Sequence, residues 1–292
     1  MSKHNLETIF KPESPFKLFF ASLLLSGLGY GIYKGILDNY LAEIVAMTEF
    51  DRGVTEFFRE LPGLMLVFIL AAFYTFSAEK LYKIGAVIML AGMGMIAAIP
   101  ATRVLVTLSV FVYSLGEHIQ LGMKNTITLE YAEEKKGGTA LGYQNAVYQI
   151  GTLFGFLVII TCFTRFFKDK PYRTFFLISA VLFAVSLAVS LKLTGESELN
   201  RNSSRFYFKK KFRKYYMLEI FYGARKQVFF TFGPYVLILF YGADAGRISL
   251  LFAISAVSGY FFAPIVGRII DRFGYKAVMI TDTLILVIVC FF

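Results

Sequence analysis

The chain has 292 residues, of which 57% are hydrophobic and 17% charged, with a mean hydropathy of +0.63. Soluble domains carry about 25% charged residues, so lipid rather than water must surround most of this protein. At about 20 apolar residues per crossing there is room for many spans but none for a large soluble domain, which excludes a soluble enzyme on a single anchor. The net charge of +10 reports membrane topology before it reports a nucleic-acid partner.

Windows of about 19 residues pick out apolar segments within 16–46, 54–77, 84–100, 103–126, 139–164, 173–193, 216–241, 247–270 and 276–292. These runs are continuous rather than alternating, and backbone in hydrocarbon must satisfy its own hydrogen bonds, so they are expected to be helices. The first run, from Phe16 to Tyr33, continues into polar sequence with no small-residue cleavage pattern behind it, unlike a secretory signal. The predicted organisation is a tail over 1–15, a six-helix bundle over 16–193, a basic linker over 194–215 and three further helices over 216–292. Connections are short except for that linker, which carries Lys209, Lys210, Lys211, Arg213 and Lys214. Beside a membrane helix such a run reads as a cytoplasmic anchor against anionic lipid rather than a nucleic-acid patch.

Placing the linker in the cytoplasm puts the N-terminus there too. Of the 30 Lys and Arg, 19 then fall inside and 7 outside, the latter Arg52, Arg103, Arg165, Lys168, Lys170, Arg173 and Arg247, with Lys34, Arg59, Arg225 and Lys226 left within spans. The excess follows the positive-inside rule. The loop after the fifth span dissents, with Arg165, Lys168, Lys170 and Arg173 all outside.

Between the eighth and ninth spans stands Gly267-Arg268-Ile269-Ile270-Asp271-Arg272-Phe273-Gly274-Tyr275-Lys276. This run resembles the G-x-x-x-D-R-x-G-x-[RK] signature of the major facilitator superfamily, which lies on a cytoplasmic loop between the second and third helices of each six-helix half. The resemblance implies an all-α helical bundle, here the first half plus about three helices of the second. It also implies a latch in which Gly267 and Gly274 allow close approach at a turn and Asp271, Arg272 and Lys276 hold one gate; the plainer alternative is an ordinary basic turn. The matching first-half stretch, Thr75 to Lys83, has Glu79-Lys80 for Asp-Arg, but Thr75 and Tyr82 replace both glycines. Arg59-Glu60-Leu61-Pro62-Gly63 resembles the second helix of a bacterial branch of the family and carries no substrate with it. Because the family has twelve spans, a chain ending in the ninth is expected to be a truncated or split product, with a missing C-terminal segment as its partner.

Ionisable groups inside spans usually face a cavity or one another. Tyr30, Lys34 and Asp38 recur every four residues on one helical face, in the outer half of the first span, and Arg59 and Glu60 enter the second from outside at comparable depth. They read either as structural ion pairs or as an outer gate. The fourth span carries Glu117, Gln120 and Lys124 with His118 and Asn125 beside them, and the fifth carries Gln144, Asn145, Tyr148 and Gln149. The family's cavity is lined by helices corresponding to these. Glu117 is the candidate for a carboxylate that takes up a proton, because burial disfavours its charged form; a fixed interhelical salt bridge is the equal alternative. Arg225 and Lys226, in the seventh span, point to an anionic or polyhydroxylated ligand or to ion pairs in helix packing.

Two cysteines, Cys162 and Cys290, and the isolated His4 and His118 form no disulfide framework or metal cluster. There is no Gly-rich loop of the kind that binds a nucleotide, so no cofactor is expected, and no nucleophile and base pair marks an enzyme. The sequence therefore predicts a multi-pass protein of the bacterial cytoplasmic (inner) membrane, moving a small solute by alternating access with proton coupling. The competing reading is a non-transporting membrane fragment or scaffold.

Overall fold

A computed structural model describes residues 7–163, 170–193, 209–214, 216–217, 221 and 228–291. Nine α-helices are described: α1 (Phe16–Glu43), α2 (Glu49–Ala72), α3 (Ala78–Ala98), α4 (Arg103–Tyr131), α5 (Gly137–Thr161), α6 (Tyr172–Ser190), α7 (Gly233–Tyr241), α8 (Ala245–Phe273) and α9 (Tyr275–Phe291). A π-helical turn over Val228–Phe232 leads into α7. Among the described residues, α1, α3, α4, α5, α6 and the first part of α8 are long and apolar enough to cross a membrane.

Helix starts follow their caps rather than the onset of hydrophobicity. The second segment was expected from 54, yet α2 begins at Glu49 because Thr48 and Asp51 close a capping box. Ser77 likewise accepts from the Lys80 amide and starts α3 at 78 rather than 84, and Thr102 caps α4. Helix α4 runs on to Tyr131, past the expected end at 126.

Arg52, assigned to an outside loop by the sequence, thereby sits inside α2 at 2% exposure. The signature also needs correcting: it is not a loop. Gly267 to Phe273 continue α8, and Gly274 alone separates α8 from α9. Its φ of +81° is left-handed, and a Cβ there would meet nothing within 4 Å, so Gly274 serves backbone conformation and not close approach.

Helix α1 is central, packing on α5 and α6, while α3 packs on α4 and α6, α2 on α4, and α8 on α5 and α1. The α1–α5 crossing is made by small residues four apart, Gly27 and Gly31 against Gly151 and Gly155. A Cβ on Gly155 would lie 2.8 Å from the Gly31 Cα and closer still to the Leu28 carbonyl, so only glycine permits this backbone approach. Pro62 lies within α2 and has no N–H to donate; beside it the Ser114 hydroxyl of α4 donates to the Arg59 carbonyl, the kind of support that lets a membrane helix tolerate proline.

Large apolar side chains face outward, Leu64 at 74% and Val181 at 62% exposure, while polar side chains gather inside. That inversion fits a lipid surround.

Two ends of the bundle differ. The basic end, where α1 begins, carries Lys17, Lys80, Lys83, Lys135 and Lys136. At the opposite end the outside cations that were counted against topology are locally committed. Lys170 pairs with Glu43 at 2.7 Å, Arg103 with Asp51 at 2.8 Å, and Arg173 donates to the Ile99 carbonyl at 3.0 Å. Arg165 and Lys168 of the same loop lie outside the described residues.

Candidate functional site

A cavity of about 450 Å³ lies within the bundle, walled by α1, α2, α3, α4, α5, the π-turn and α8. Its size is that of a small-molecule site. Lys34, Arg59, Glu60, Glu117, His118, Gln120, Asn145 and Gln149 all line it, together with Tyr30, Tyr33, Lys124, Tyr148 and Phe252. Asp38 is adjacent but fully buried behind Lys34. Arg225 and Lys226 lie outside the described residues, as do the side chains of Asp271 and Arg272; Gly267 is part of α8, and Lys276 is exposed at the start of α9.

On the α1–α2 wall the charges form one continuous chain. Lys34 Nζ reaches Asp38 at 2.9 Å, Asp38 holds Arg52 at 3.1 Å, and Arg52 holds Glu56 at 2.8 Å. Glu56 then pairs with Arg59 at 2.6 Å, Arg59 with Glu60 at 2.5 Å, and Glu60 faces His118 Nε2 at 3.7 Å. The other ring nitrogen of His118 lies 2.9 Å from the Ser114 carbonyl, a bond in which it donates and which leaves Nε2 turned to Glu60. Lys34 and Asp38, Arg59 and Glu60 are therefore not two separate pairs. Arg52 and Glu56 join them, and both were missed by the sequence reading. The signal was present: 52, 56 and 59 or 60 share a helical face at spacings of four and three, but beginning the segment at 54 hid it.

This chain reaches the later helices through neutral groups. Thr231 of the π-turn donates to Glu56 at 2.7 Å, the Tyr235 ring stands 5.9 Å from Arg52, and the Phe252 ring 5.0 Å from Lys34. Three more hydrogen bonds join the same two groups of helices: Asn39 to the Ala243 carbonyl at 2.9 Å, Tyr235 to the Met47 carbonyl at 2.5 Å, and Ser249 to the Gly35 carbonyl at 3.1 Å. These four hydrogen bonds lie in the half of the bundle toward the end where α1 finishes.

The α4–α5 wall is different. Glu117, Asn145 and Gln149 line the cavity and make no hydrogen bond or ion pair among the described residues. Gln120 is turned aside to the Tyr82 carbonyl at 3.3 Å, and Gln144 accepts from Thr128 at 3.4 Å, so neither amide is available in the same way. Lys124 Nζ sits 4.4 Å above the Tyr148 ring. Among the described residues no group of three His, Cys, Asp or Glu could hold a metal ion.

The sequence profile of the Major Facilitator Superfamily matches residues 18–292. The chain belongs to the major facilitator superfamily. It is a multi-pass membrane protein of transporter type, built on that superfamily's fold. Among solved structures the nucleoside transporter NupG aligns with a TM-score of 0.67 at 18% identity, covering 89% of this chain and 68% of NupG. The D323A mutant of NupG gives 0.66 at 19% identity, covering 90% and 70%. A bacterial homologue of the human drug peptide transporters PepT1 and PepT2 gives 0.49 at 15% identity, covering 93% and 56%. At such identities the likeness is one of fold. No curated protein matches this superfamily member at a comparable significance.

Proposed function

We propose that this protein moves a small solute across the bacterial cytoplasmic membrane by alternating access, and that Glu117 couples the movement to protons. The observation that carries this is an inequality among acids at the cavity. Asp38, Glu56 and Glu60 are each held by Lys or Arg, whereas Glu117 makes no ion pair or hydrogen bond among the described residues. A carboxylate that holds no fixed cation can gain or lose a proton without breaking a salt bridge, which the other three acids cannot. The four hydrogen bonds that join the two groups of helices toward the far end of α1 support a rocking cycle in which that end is the one held shut.

In this reading the basic end and the N-terminus are cytoplasmic, the linker 194–215 anchors to anionic lipid, and residues 16–193 and 216–292 move as separate bundles. The Lys34-to-Glu60 chain belongs to the outer gate, with Thr231 as its contact across the halves. Gly267, Asp271, Arg272, Gly274 and Lys276 form the inner latch, and Arg225 and Lys226 form ion pairs in helix packing rather than contacts to substrate.

The test is uptake into proteoliposomes with and without an imposed pH gradient, with labelled uridine as the first probe because NupG is a nucleoside transporter. The expected result is gradient-driven accumulation by the native protein. Glu117→Gln should abolish accumulation while keeping exchange of solute at equal concentrations. Normal accumulation by Glu117→Gln would remove the coupling role.

A further inference from the structure

The cations that line the cavity are already engaged. Lys34 is bonded to Asp38 and stands over the Phe252 ring, Arg59 is held by Glu56 and Glu60, and Lys124 sits over Tyr148. Counting the buried charges just behind the wall, Lys34, Arg52, Arg59 and Lys124 are balanced by Asp38, Glu56, Glu60 and Glu117. An anion entering this space finds no uncommitted positive partner among the described residues, and would pay its desolvation without compensation. A cation would meet Glu117, but it would share the space with three fixed cations, Lys34, Arg59 and Lys124.

What remains uncommitted is hydrogen-bonding capacity and ring surface. The Asn145 and Gln149 amides and the Glu117 carboxyl have no partners among the described residues. The Tyr33 hydroxyl is buried without a partner although its side chain forms part of the wall, at 2% exposure. A buried polar group left unsatisfied is costly, and a small shift of the wall would bring this hydroxyl to a ligand or a water. The Tyr30 and Tyr148 rings, with centroids 5.9 Å apart and inclined by 41°, supply aromatic walls from α1 and α5, and offset stacking on such rings favours a flat partner.

We propose that the cavity takes an uncharged solute with one flat ring and several hydroxyl or ring N–H groups, the chemistry of a nucleoside, and rejects its phosphorylated and cationic counterparts. This rests on the cavity being the transport site. The ring lies against Tyr30 and Tyr148, and the hydroxyl or N–H groups bond Asn145, Gln149 and Glu117.

Calorimetric titration of the purified full chain in lipid nanodiscs tests it, with uridine, uridine 5′-monophosphate and trimethylphenylammonium as probes. Uridine should bind at least tenfold tighter than either charged probe. Gln149→Ala and Asn145→Ala should each weaken uridine at least fivefold without moving the thermal unfolding transition, and Tyr148→Leu should weaken it more than Tyr148→Phe. Equal or tighter binding of either charged probe overturns the proposal, as does absence of uridine binding by a protein that keeps its unfolding transition. Binding in nanodiscs needs no gradient, so proton-independent uptake would defeat the coupling by Glu117 and leave this inference standing.

Discussion

Two walls of one cavity, α1–α2 and α4–α5, carry similar numbers of polar groups and treat them in opposite ways. On α1–α2, Lys34, Asp38, Arg52, Glu56, Arg59 and Glu60 form an unbroken chain in which each charge has an opposite neighbour within 3.1 Å. On α4–α5, Glu117, Asn145 and Gln149 face the same space with no hydrogen bond or salt bridge among the described residues. A paired charge in a low-dielectric interior stabilises an arrangement, because breaking the pair strands its partner. An unpaired polar group in a cavity is available to something that enters and leaves. In the mechanism proposed above, the first wall is the structural and gating element and the second the binding element.

The largest effect that could break this contrast is expected at Arg52. Arg52→Met leaves both Asp38 and Glu56 short of a cation, and should cost about 3–5 kcal/mol, seen as lost expression or a much lower unfolding temperature in detergent. A loss under about 1 kcal/mol would show that the chain is ornamental. Lys34→Met should cost less, about 1–2 kcal/mol, because Arg52 still holds Asp38; transport at the native rate would take Lys34 out of the gate. Thr231→Val removes one hydrogen bond to Glu56, worth roughly 0.5–1.5 kcal/mol, or more with a charged acceptor. It should raise the labelling of a cysteine at Leu37, a buried residue that lines the cavity, several-fold by unsealing the far end, with thermal stability almost unchanged. Glu117→Gln has the smallest expected effect on stability, under about 0.5 kcal/mol, because no partner is lost; a larger drop in the unfolding temperature would place Glu117 on the structural side of the comparison.

Topology offers an independent check. With Cys162 and Cys290 replaced, Lys210→Cys and Arg272→Cys should react with an impermeant thiol reagent from the same side. Opposite sides would undo the orientation on which the gate and latch assignments depend.

Much of this was legible in the chain. The apolar runs, the Gly267–Lys276 signature and the recurrence of Tyr30, Lys34 and Asp38 every four residues were enough for the fold and for most of the cavity's lining, because period and hydropathy are local properties. Arg52 was misassigned because a hydropathy window reads a buried, neutralised cation as a loop residue, although Thr48-x-x-Asp51 marked an earlier helix start. Gly274 was assigned to close packing when its left-handed φ is what demands glycine. Gln120 and Gln144 look equivalent to Gln149 in sequence, yet two of the three are turned to neighbouring helices.

Composition and periodicity by themselves determined a lipid-embedded helical bundle and which residues could not face lipid, since transfer into hydrocarbon is decided residue by residue. Which polar groups satisfy one another and which are left open to the cavity was decided only by the packing of α1, α2, α4, α5 and α8. Pairing depends on distances between helices, and no single helix contains that information.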